Sequence, residues 1–368
     1  MKKTIVISAV NLVEAGTLAI LKDCLSYLSA LAEQNEYRIV AIVYKKELAL
    51  FPNVEYIETQ WPKKRWVNRL WYEYVSMKKI SKELAPVDIW FSLHDTTPTV
   101  IARKRVVYCH NSYSFYKWKL HDLFVAPKIA MFAIFTKYIY KTNIHKNDYL
   151  VVQQEWFRVA MSKIFGFDSS KIIVAPPPRI KSKEIIKNTE DKDIFSFIYA
   201  ASPNSHKNFE IVCRAVDILE NRYQIKNFRV DITVNGSENR YAGWLYKKWG
   251  KLSCINFIGF VDKNTLSIYY ENSNCLIFSS KVETWGLPIS EFLEYNKSML
   301  LADLPYAHET SMGGKHVAFF NPDDIKDLSK KMMNLIQNNF SDMQPVPKKE
   351  LTEPVASGWD DLFKILLK

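Results

Sequence analysis

The chain contains 368 residues, 48% of them apolar and 24% charged, with ten glycines and a formal net charge of +11. That length favours two domains, because one hydrophobic core rarely grows so large, and the composition excludes a disordered chain. The longest apolar stretch, residues 123–140, is interrupted by proline and lysine, so no segment is predicted to span a membrane. The five cysteines lack CxxC or Cys/His spacing, and we expect them to be reduced core thiols.

The first 170 residues alternate strand-like and helix-like segments. The opening run TIVISAV is too short for a secretory signal and predicts a first buried strand. A helix is predicted at LAILKDCLSYLSALAEQ, and further strands at YRIVAIVY, VDIWFSL, RVVYCH and DYLVVQ. This alternation is typical of βαβ units on a parallel sheet. We therefore predict a Rossmann-like N-terminal domain over residues 1–175.

A proline-rich, charged stretch then interrupts the pattern and predicts a linker at residues 176–192. The alternation restarts with FSFIYAAS, FRVDITVNG, INFIGFV, NCLIFSS and SMLLAD, which predicts a second Rossmann-like domain over residues 193–350. Residues 351–368 predict a short amphipathic helix that packs back on the N-terminal domain. The predicted fold class is α/β, with two doubly wound domains facing a cleft. Such sheets bind ligands at the carboxyl ends of their strands.

Two glutamates, Glu283 and Glu291, flank a Trp-Gly-Leu-Pro turn in SSKVETWGLPISEFLEYN. A strand precedes the turn, and Pro288 suits the first turn of a helix because it has no N–H group. A strand, a glycine turn and a helix N-terminus offer free backbone amides to an anion such as phosphate. Carboxylates beside a phosphate would bind hydroxyl groups, such as those of sugar or ribose. The alternative is that both glutamates only favour the helix dipole.

The segment FSSKVETWGLPISEFLEYNKSMLLADLPYAHE resembles the donor-site signature of retaining glycosyltransferases of family 4, within glycosyl transferases group 1. The resemblance covers nearly the full chain in order and implies the GT-B fold. It implies that Glu291 accepts hydrogen bonds from the ribose of a nucleotide and that Glu283 contacts hydroxyls of the transferred sugar. The residues that it places against the diphosphate and the sugar are Thr284, Trp285, Gly286 and Leu287.

The stretch FIYAASPNSHKNFE is similar to the strand, loop and helix in which this family holds the diphosphate with a lysine, here Lys207. The family usually adds an arginine five or six residues earlier, where this chain has Ala201 and Ser202. His206 and the region of Arg240 are candidates for its replacement. A solvated surface lysine is the alternative interpretation of Lys207.

Three further loops match family positions that approach the donor. Gly16 is what remains of a Gly-Gly loop near the diphosphate, and Gly236 matches a glycine at a strand end. Phe260 and Val261 follow Gly259 in the loop that usually contacts the base. These glycines are also compatible with ordinary turns.

The N-terminal domain offers His110, which ends the strand RVVYCH where the family often places a histidine close to the transferred sugar and the acceptor. His94 and Asp95 compete with it for that role, and a structural histidine is the alternative. The predicted catalytic residues are Glu283, His110 and Lys207. No metal is assigned, because the acidic pair in DKD at residues 191–193 falls in the linker.

The positive charge is concentrated in two segments. Residues 61–82 hold seven Lys/Arg against one Glu, and residues 101–146 hold nine against one Asp. Both segments interleave these cations with aromatic residues, which suits an anionic membrane surface. Nucleic acid is a second possible partner for this composition, but no nucleic-acid-binding motif accompanies it, and we predict none. A solvated charged face is the simpler alternative.

The family resemblance implies a retaining glycosyltransferase, and together with these observations it predicts a metal-independent hexosyltransferase. Its substrate is a nucleotide diphosphate sugar, and no cofactor is required. The acceptor is a saccharide, lipid-linked, in bacterial surface polysaccharide (O-antigen or capsule) biosynthesis. We expect a cytoplasmic protein, peripheral on the inner face of the cell membrane. A nucleotide-sugar epimerase, a phosphorylase or a non-catalytic nucleotide-sugar-binding subunit are the alternatives.

Overall fold

The computed structural model describes residues 2–34, 36–118, 120–177 and 194–368. The chain divides into two compact units. Unit 1 comprises Met1–Ser112, Phe135–Pro178 and Leu351–Lys368, and unit 2 comprises Tyr113–Ile134 and Arg179–Glu350. Residues 113–134 therefore group with unit 2, whereas the sequence pattern assigned them to the N-terminal domain. The predicted linker lies mostly outside the described residues.

Unit 1 is built on one parallel sheet of seven strands. In chain order they are β1 (Lys3–Ser8), β2 (Tyr37–Val43), β3 (Val54–Glu58), β4 (Ile89–Ser92), β5 (Lys104–Tyr108), β6 (Tyr149–Val152) and β7 (Ile172–Val174). Their order in the sheet is β3-β2-β1-β4-β5-β6-β7. Ile5 and Ile7 enter one hydrophobic cluster, and Val6 enters another on the opposite face. Both faces of the sheet are covered, which explains the continuous apolar runs of its central strands.

Seven α-helices begin in the first half of the chain, among the described residues. They are α1 (Ala15–Ala32), α2 (Trp61–Lys64), α3 (Trp66–Trp71), α4 (Met77–Glu83), α5 (Leu120–Val125), α6 (Pro127–Lys141) and α7 (Glu155–Phe165). Of these, α5 and the first part of α6 group with unit 2. A π-helical turn, Tyr72–Ser76, joins α3 to α4. Gly16 is the second residue of α1, so it lies in a helix and not in the loop that the sequence predicted.

Unit 2 contains a six-stranded parallel sheet. Its strands are β8 (Phe195–Tyr199), β9 (Phe228–Ile232), β10 (Ile255–Phe257), β11 (Cys275–Phe278), β12 (Ser298–Ala302) and β13 (Val317–Phe320). They lie in the order β10-β9-β8-β11-β12-β13. Along the chain, β9 and β10 are added to one side of β8, and β12 and β13 are added to the far side of β11. The strand order thus reverses between β8 and β11, and open α/β sheets bind ligands at the carboxyl ends of such a pair.

Seven further α-helices follow in the second half of the described chain. They are α8 (Phe209–Asp217), α9 (Arg240–Trp249), α10 (Lys263–Asn272), α11 (Leu287–Leu293), α12 (Pro305–Thr310), α13 (Ile325–Ile336) and α14 (Trp359–Leu367). The last of these packs within unit 1, where Phe363 stacks on Tyr27 with ring centroids 5.4 Å apart. Leu362, Phe363 and Leu366 are fully or almost fully buried there. Burying a side chain of this size stabilises a fold by roughly 1.5 to 3 kcal/mol.

All five cysteines are free and buried, as expected of core thiols. Burial raises the pKa of each thiol above its usual value, which leaves them protonated and unreactive at neutral pH. Within the described residues, no helix is long and apolar enough to cross a membrane.

Candidate functional site

Two loops of unit 2 are held together at the carboxyl ends of β8 and β11. The loop after β8 ends in a 3₁₀ turn, Ser205–Lys207, and the loop after β11 begins at Ser279. The hydroxyl of Ser279 donates to the backbone oxygens of Lys207 and Asn208 at 3.1 and 3.0 Å. The N–H of Lys281 donates to the backbone oxygen of His206 at 2.7 Å. These bonds fix the relative positions of the two loops.

Lys207 and Glu283 meet across these loops. The ammonium of Lys207 donates to Oε1 of Glu283, and the two side chains are only 14% and 13% exposed. The Lys207 ammonium also lies 5.7 Å from the ring centre of Phe278, the last residue of β11. The sequence separated these residues by 76 positions, and the adjacency of β8 and β11 brings them together. A cation and a carboxylate at this edge suit a ligand that carries both phosphate and hydroxyl groups.

Gly286 shapes the turn between Glu283 and α11. Its φ of 92° is left-handed, and a Cβ atom there would lie 3.3 Å from Ile289 and 3.6 Å from Tyr306. Its carbonyl accepts the N–H of Ile289 at 2.9 Å, which starts the helix. The side chain of Trp285 donates to the hydroxyl of Ser290 at 3.1 Å. The predicted turn and helix start are therefore observed, although α11 ends at Leu293, after seven residues.

Glu291 lies on α11 and is largely shielded from solvent. The hydroxyl of Tyr270, on α10, donates to Oε2 of Glu291 at 3.3 Å. Burial raises the pKa of Glu291, while the Tyr270 hydrogen bond and the charge of Lys263 oppose the rise. A carboxylate held in this way can accept hydrogen bonds from ligand hydroxyls. Tyr270 was not identified from the sequence, because a lone tyrosine inside a helix carries no recognisable pattern.

The loops after β9 and β10 carry the other predicted donor-binding residues. Gly236 has a φ of 95°, and a Cβ atom there would lie 2.6 Å from Cβ of Tyr246, so only glycine fits. Phe260 follows Gly259 and is 87% exposed, while Val261 is partly buried. An aromatic ring that faces solvent at a strand end can stack on a base. Their contact with a nucleotide stays a prediction.

His206 cannot replace the charge of the missing arginine. It is buried, and this burial together with the neighbouring Lys207 charge lowers its pKa well below the usual value, so the ring is neutral. Its ring packs edge-on against Tyr113, with centroids 5.1 Å apart. Tyr113 comes from residues 113–134, and burial and the Glu283 charge raise its pKa to about 12. Arg240 is exposed as the first residue of α9.

In unit 1, His110 follows β5 and stacks on Tyr108, with ring centroids 4.4 Å apart. Burial lowers its pKa although the charge of Asp95 opposes the shift. His94 is fully buried and bonds to the hydroxyls of Ser8 and Thr96 at 2.8 and 3.0 Å. His94 is therefore a structural residue, which leaves His110 as the better candidate.

Some predicted site residues are brought together and others are not. Lys207 and Glu283 are in direct contact, and Glu291 follows one turn into the adjoining helix. Gly16 and His110 belong to unit 1. Tyr113 and Tyr270 are additional residues beside the unit 2 site. Tyr113 lies in the segment HNSYSFYK, but the spacing of aromatic residues in that segment did not indicate which unit Tyr113 would belong to.

No cluster of three or more His, Cys, Asp or Glu side chains suited to a metal ion occurs in the part of the chain that the structure describes.

Known proteins share this architecture. The chain is 12% identical to the lipopolysaccharide outer core galactosyltransferase WaaB, with a TM-score of 0.64 over 92% of this chain and 91% of that one. It is 14% identical to Anabaena HepE, solved in complex with UDP and glucose, with a TM-score of 0.56 over 92% and 90% of the two chains. At such identities the likeness concerns the fold alone, and it confirms the predicted GT-B class.

A relative in sequence is the O-antigen chain mannosyltransferase RfbU of Salmonella typhimurium strain LT2. It is 24% identical over 223 residues, which are 59% of this chain and 60% of RfbU. The chain thus aligns with less than two thirds of that relative. The family described as glycosyl transferases group 1 matches residues 180–350, the part that includes Lys207, Glu283 and Glu291.

Proposed function

We propose that this protein transfers a sugar from a nucleotide diphosphate sugar to a saccharide acceptor. The observation that carries the proposal is the shielded Lys207–Glu283 pair, which lies at the strand-order reversal of unit 2 and is followed by Glu291 on α11. A lysine, two carboxylates and a glycine turn match the groups of such a donor: diphosphate, sugar hydroxyls and ribose. The family match over residues 180–350 supports the same activity.

The proposed reaction needs negative charge to be stabilised on the departing diphosphate. Lys207 supplies the positive charge, and the backbone amides at Gly286 and Leu287 add hydrogen bonds. Glu283 orients the sugar through its hydroxyls, and Glu291 holds the ribose. In this scheme the acceptor hydroxyl attacks the anomeric carbon on the face from which the diphosphate leaves and passes its proton to the departing phosphate oxygen, so the anomeric configuration is retained, and no metal ion takes part.

Activity is tested first by donor identity and then by product. In a thermal-shift screen, one of the three nucleotides UDP, GDP and dTDP should raise the melting temperature of the protein, because a ligand that binds only the folded state stabilises that state. The matching nucleotide hexose should then yield a retained glycoside and free nucleoside diphosphate, equally with and without EDTA. Loss of turnover in EDTA would overturn metal independence, and an inverted product would overturn retention.

The same experiment separates the alternatives. An epimerase would change the sugar without an acceptor, and a phosphorylase would need phosphate in place of a nucleotide. A non-catalytic subunit would bind the nucleotide sugar without turnover.

We also propose that a surface of unit 1 attaches the protein to anionic membrane, where a lipid-linked acceptor of surface polysaccharide assembly would be found. This 61–75 surface comprises α2, α3 and the adjoining π-helical turn. Its large exposed apolar residues are Trp61, Trp66, Val67, Leu70, Trp71 and Val75. Lys63, Lys64 and Arg65 are exposed among them. Exposed aromatic residues with interleaved cations suit the headgroup region of a bilayer.

The triple variant Lys63→Ser/Lys64→Ser/Arg65→Ser is expected to lose most salt-sensitive binding to vesicles. Each cation near an anionic surface contributes about 1 kcal/mol, so removal of three should weaken binding about a hundredfold. Co-sedimentation with phosphatidylcholine vesicles, with and without anionic phospholipid, measures this. The matched control is Lys247→Ser/Lys248→Ser, which removes two exposed lysines of α9. An equal loss of vesicle binding in the control, or binding that does not depend on anionic lipid, would contradict the proposed attachment.

A further inference from the structure

Asp95 has an unusual backbone conformation at the carboxyl edge of the unit 1 sheet. It lies three residues after the end of β4 and has a φ of 69°, in the left-handed region. Asn and Asp tolerate this region better than other residues with a side chain. Its N–H donates to the backbone oxygen of Tyr108, at the end of the neighbouring strand β5, at 3.2 Å. The loop after β4 is thereby folded over the end of β5.

One carboxylate oxygen of Asp95 lies within hydrogen-bond distance of three donors. Oδ1 accepts the backbone N–H groups of His110 and Asn111, the second at 2.9 Å. The hydroxyl of Tyr140, a buried residue of α6, lies 2.9 Å from the same oxygen and 2.9 Å from the backbone oxygen of Asn111. Burial and the Asp95 charge raise the pKa of Tyr140, which keeps this hydroxyl a donor. Asp95 therefore fixes the turn that carries His110.

The ring of His110 is held in one orientation. It stacks on Tyr108 at an interplanar angle of 13° and forms a hydrogen bond with the backbone of Leu93. Its Nε2 atom is buried and has no hydrogen-bond partner among the described residues. A buried polar atom without a partner is costly and needs an explanation. A substrate hydroxyl that reaches this nitrogen would supply one.

We propose that Asp95 is a positioning residue: its carboxylate holds the His110–Asn111 turn so that Nε2 of His110 is presented to the substrate. This inference rests on the proposed glycosyl transfer and deepens it. Asp95 does not itself touch the substrate in this scheme. It acts through the backbone N–H groups of His110 and Asn111.

The proposal distinguishes two variants of Asp95. Asparagine fits the left-handed backbone and keeps an oxygen acceptor, so Asp95→Asn should retain kcat within about fivefold. Alanine leaves both N–H groups without their acceptor and is disfavoured at this φ. Because a displacement of about 1 Å at a reacting group can cost about a hundredfold, we expect Asp95→Ala to lower kcat 10- to 100-fold. The KM for the nucleotide sugar should stay within about twofold, since the donor groups of unit 2 are untouched.

A second readout does not depend on activity. The Asp95 charge opposes the lowering of the His110 pKa, so Asp95→Asn should lower that pKa further, as followed by histidine NMR in the unliganded protein. The NMR signal of His110 is identified by its absence from the spectrum of the His110→Gln variant. The neighbouring titratable side chains Tyr108, Cys109 and Tyr140, and the nearby His94, are neutral at pH 7 and should not contribute a charge.

The outcomes separate this inference from the proposed function. If the wild-type protein transfers sugar and folded Asp95→Ala keeps its kcat, the positioning role of Asp95 is overturned. If Asp95→Ala does not fold, the NMR titration of Asp95→Asn decides, and an unchanged His110 pKa overturns the role. If the wild-type protein transfers no sugar, the proposed function fails, whereas the titration still establishes whether Asp95 acts on His110. A lowered melting temperature with unchanged kcat in both variants would indicate a purely structural residue.

Discussion

Replacing Lys207 with alanine is expected to lower kcat by about 10²- to 10³-fold. The reason is electrostatic: Lys207 is the cation that faces the position proposed for the diphosphate, and loss of one such preorganised donor costs about 2.7 to 4 kcal/mol of barrier. The measurement is steady-state turnover of the donor found in the nucleotide screen, with circular dichroism to establish that the variant is folded.

The matched control for this variant is Lys331→Ala. Lys331 also forms a shielded ion pair, with Asp327 at 2.6 Å, and is 18% exposed, but it lies on α13 and belongs to neither loop of the site. The Lys331→Ala substitution should change kcat by less than about twofold. Full activity in Lys207→Ala would refute the assignment of the site, as would an equal loss in the control.

Glu283→Gln is the second change with a large expected effect. The amide keeps the size of the side chain but removes the charge that pairs with Lys207 and the second strong acceptor for sugar hydroxyls. We expect turnover to be abolished within the detection limit while the protein stays folded. Glu294→Gln, at an exposed carboxylate just beyond α11, should leave turnover unchanged. Wild-type turnover in Glu283→Gln would exclude this residue from the reaction.

The same variant also probes the stability of the site. Lys207 and Glu283 are in direct contact and shielded from solvent, so their contributions to the free energy of unfolding should be coupled. A cycle of Lys207→Met, Glu283→Gln and the double variant, measured by urea unfolding, should give a coupling of about 0.5 to 3 kcal/mol. Strictly additive effects would mean that the two side chains do not pair in solution.

The pair has a consequence for ligand binding. Lys207 and Glu283, which would hold the diphosphate and the sugar, satisfy each other. A donor bound as proposed would therefore exchange the Lys207–Glu283 bond for bonds to phosphate and hydroxyl. The pair keeps both charges compensated, because a buried charge without a partner is costly. It also predicts that either single variant alters donor affinity as well as turnover.

Much of the architecture was predictable from local patterns. Ten of the strands coincide with apolar runs that the sequence analysis identified, and α1 and α14 lie where amphipathic patterns placed them. The strands that were not predicted are β3, β7 and β13. Of these, β3 has a half-exposed pattern without a continuous apolar run, and β7 and β13 have three and four residues. All three lie at an edge of their sheet, but so does β10, a three-residue strand that was predicted, so strand length alone does not explain the difference.

The site was predicted in part. Glu283, Gly286 and Glu291 share one continuous segment, so their spacing was visible, and Pro288 indicated the helix start. The contact of Lys207 with Glu283, the Tyr270 hydroxyl on Glu291 and the three donors on Asp95 were not predicted. Each of these contacts joins residues from different strands or helices, and sequence spacing does not report such distances.

Hydrophobic periodicity and turn chemistry are local properties of the chain, so the amino-acid sequence was sufficient to predict both parallel sheets and the segment that carries the two glutamates. Which distant groups meet depended on three-dimensional packing: β8 adjoins β11 and pairs Lys207 with Glu283, His206 is neutral, and residues 113–134 belong with unit 2. Strand order and burial result from the packing of the whole unit. They set the distances between charged groups and the free energy required to bury a charge.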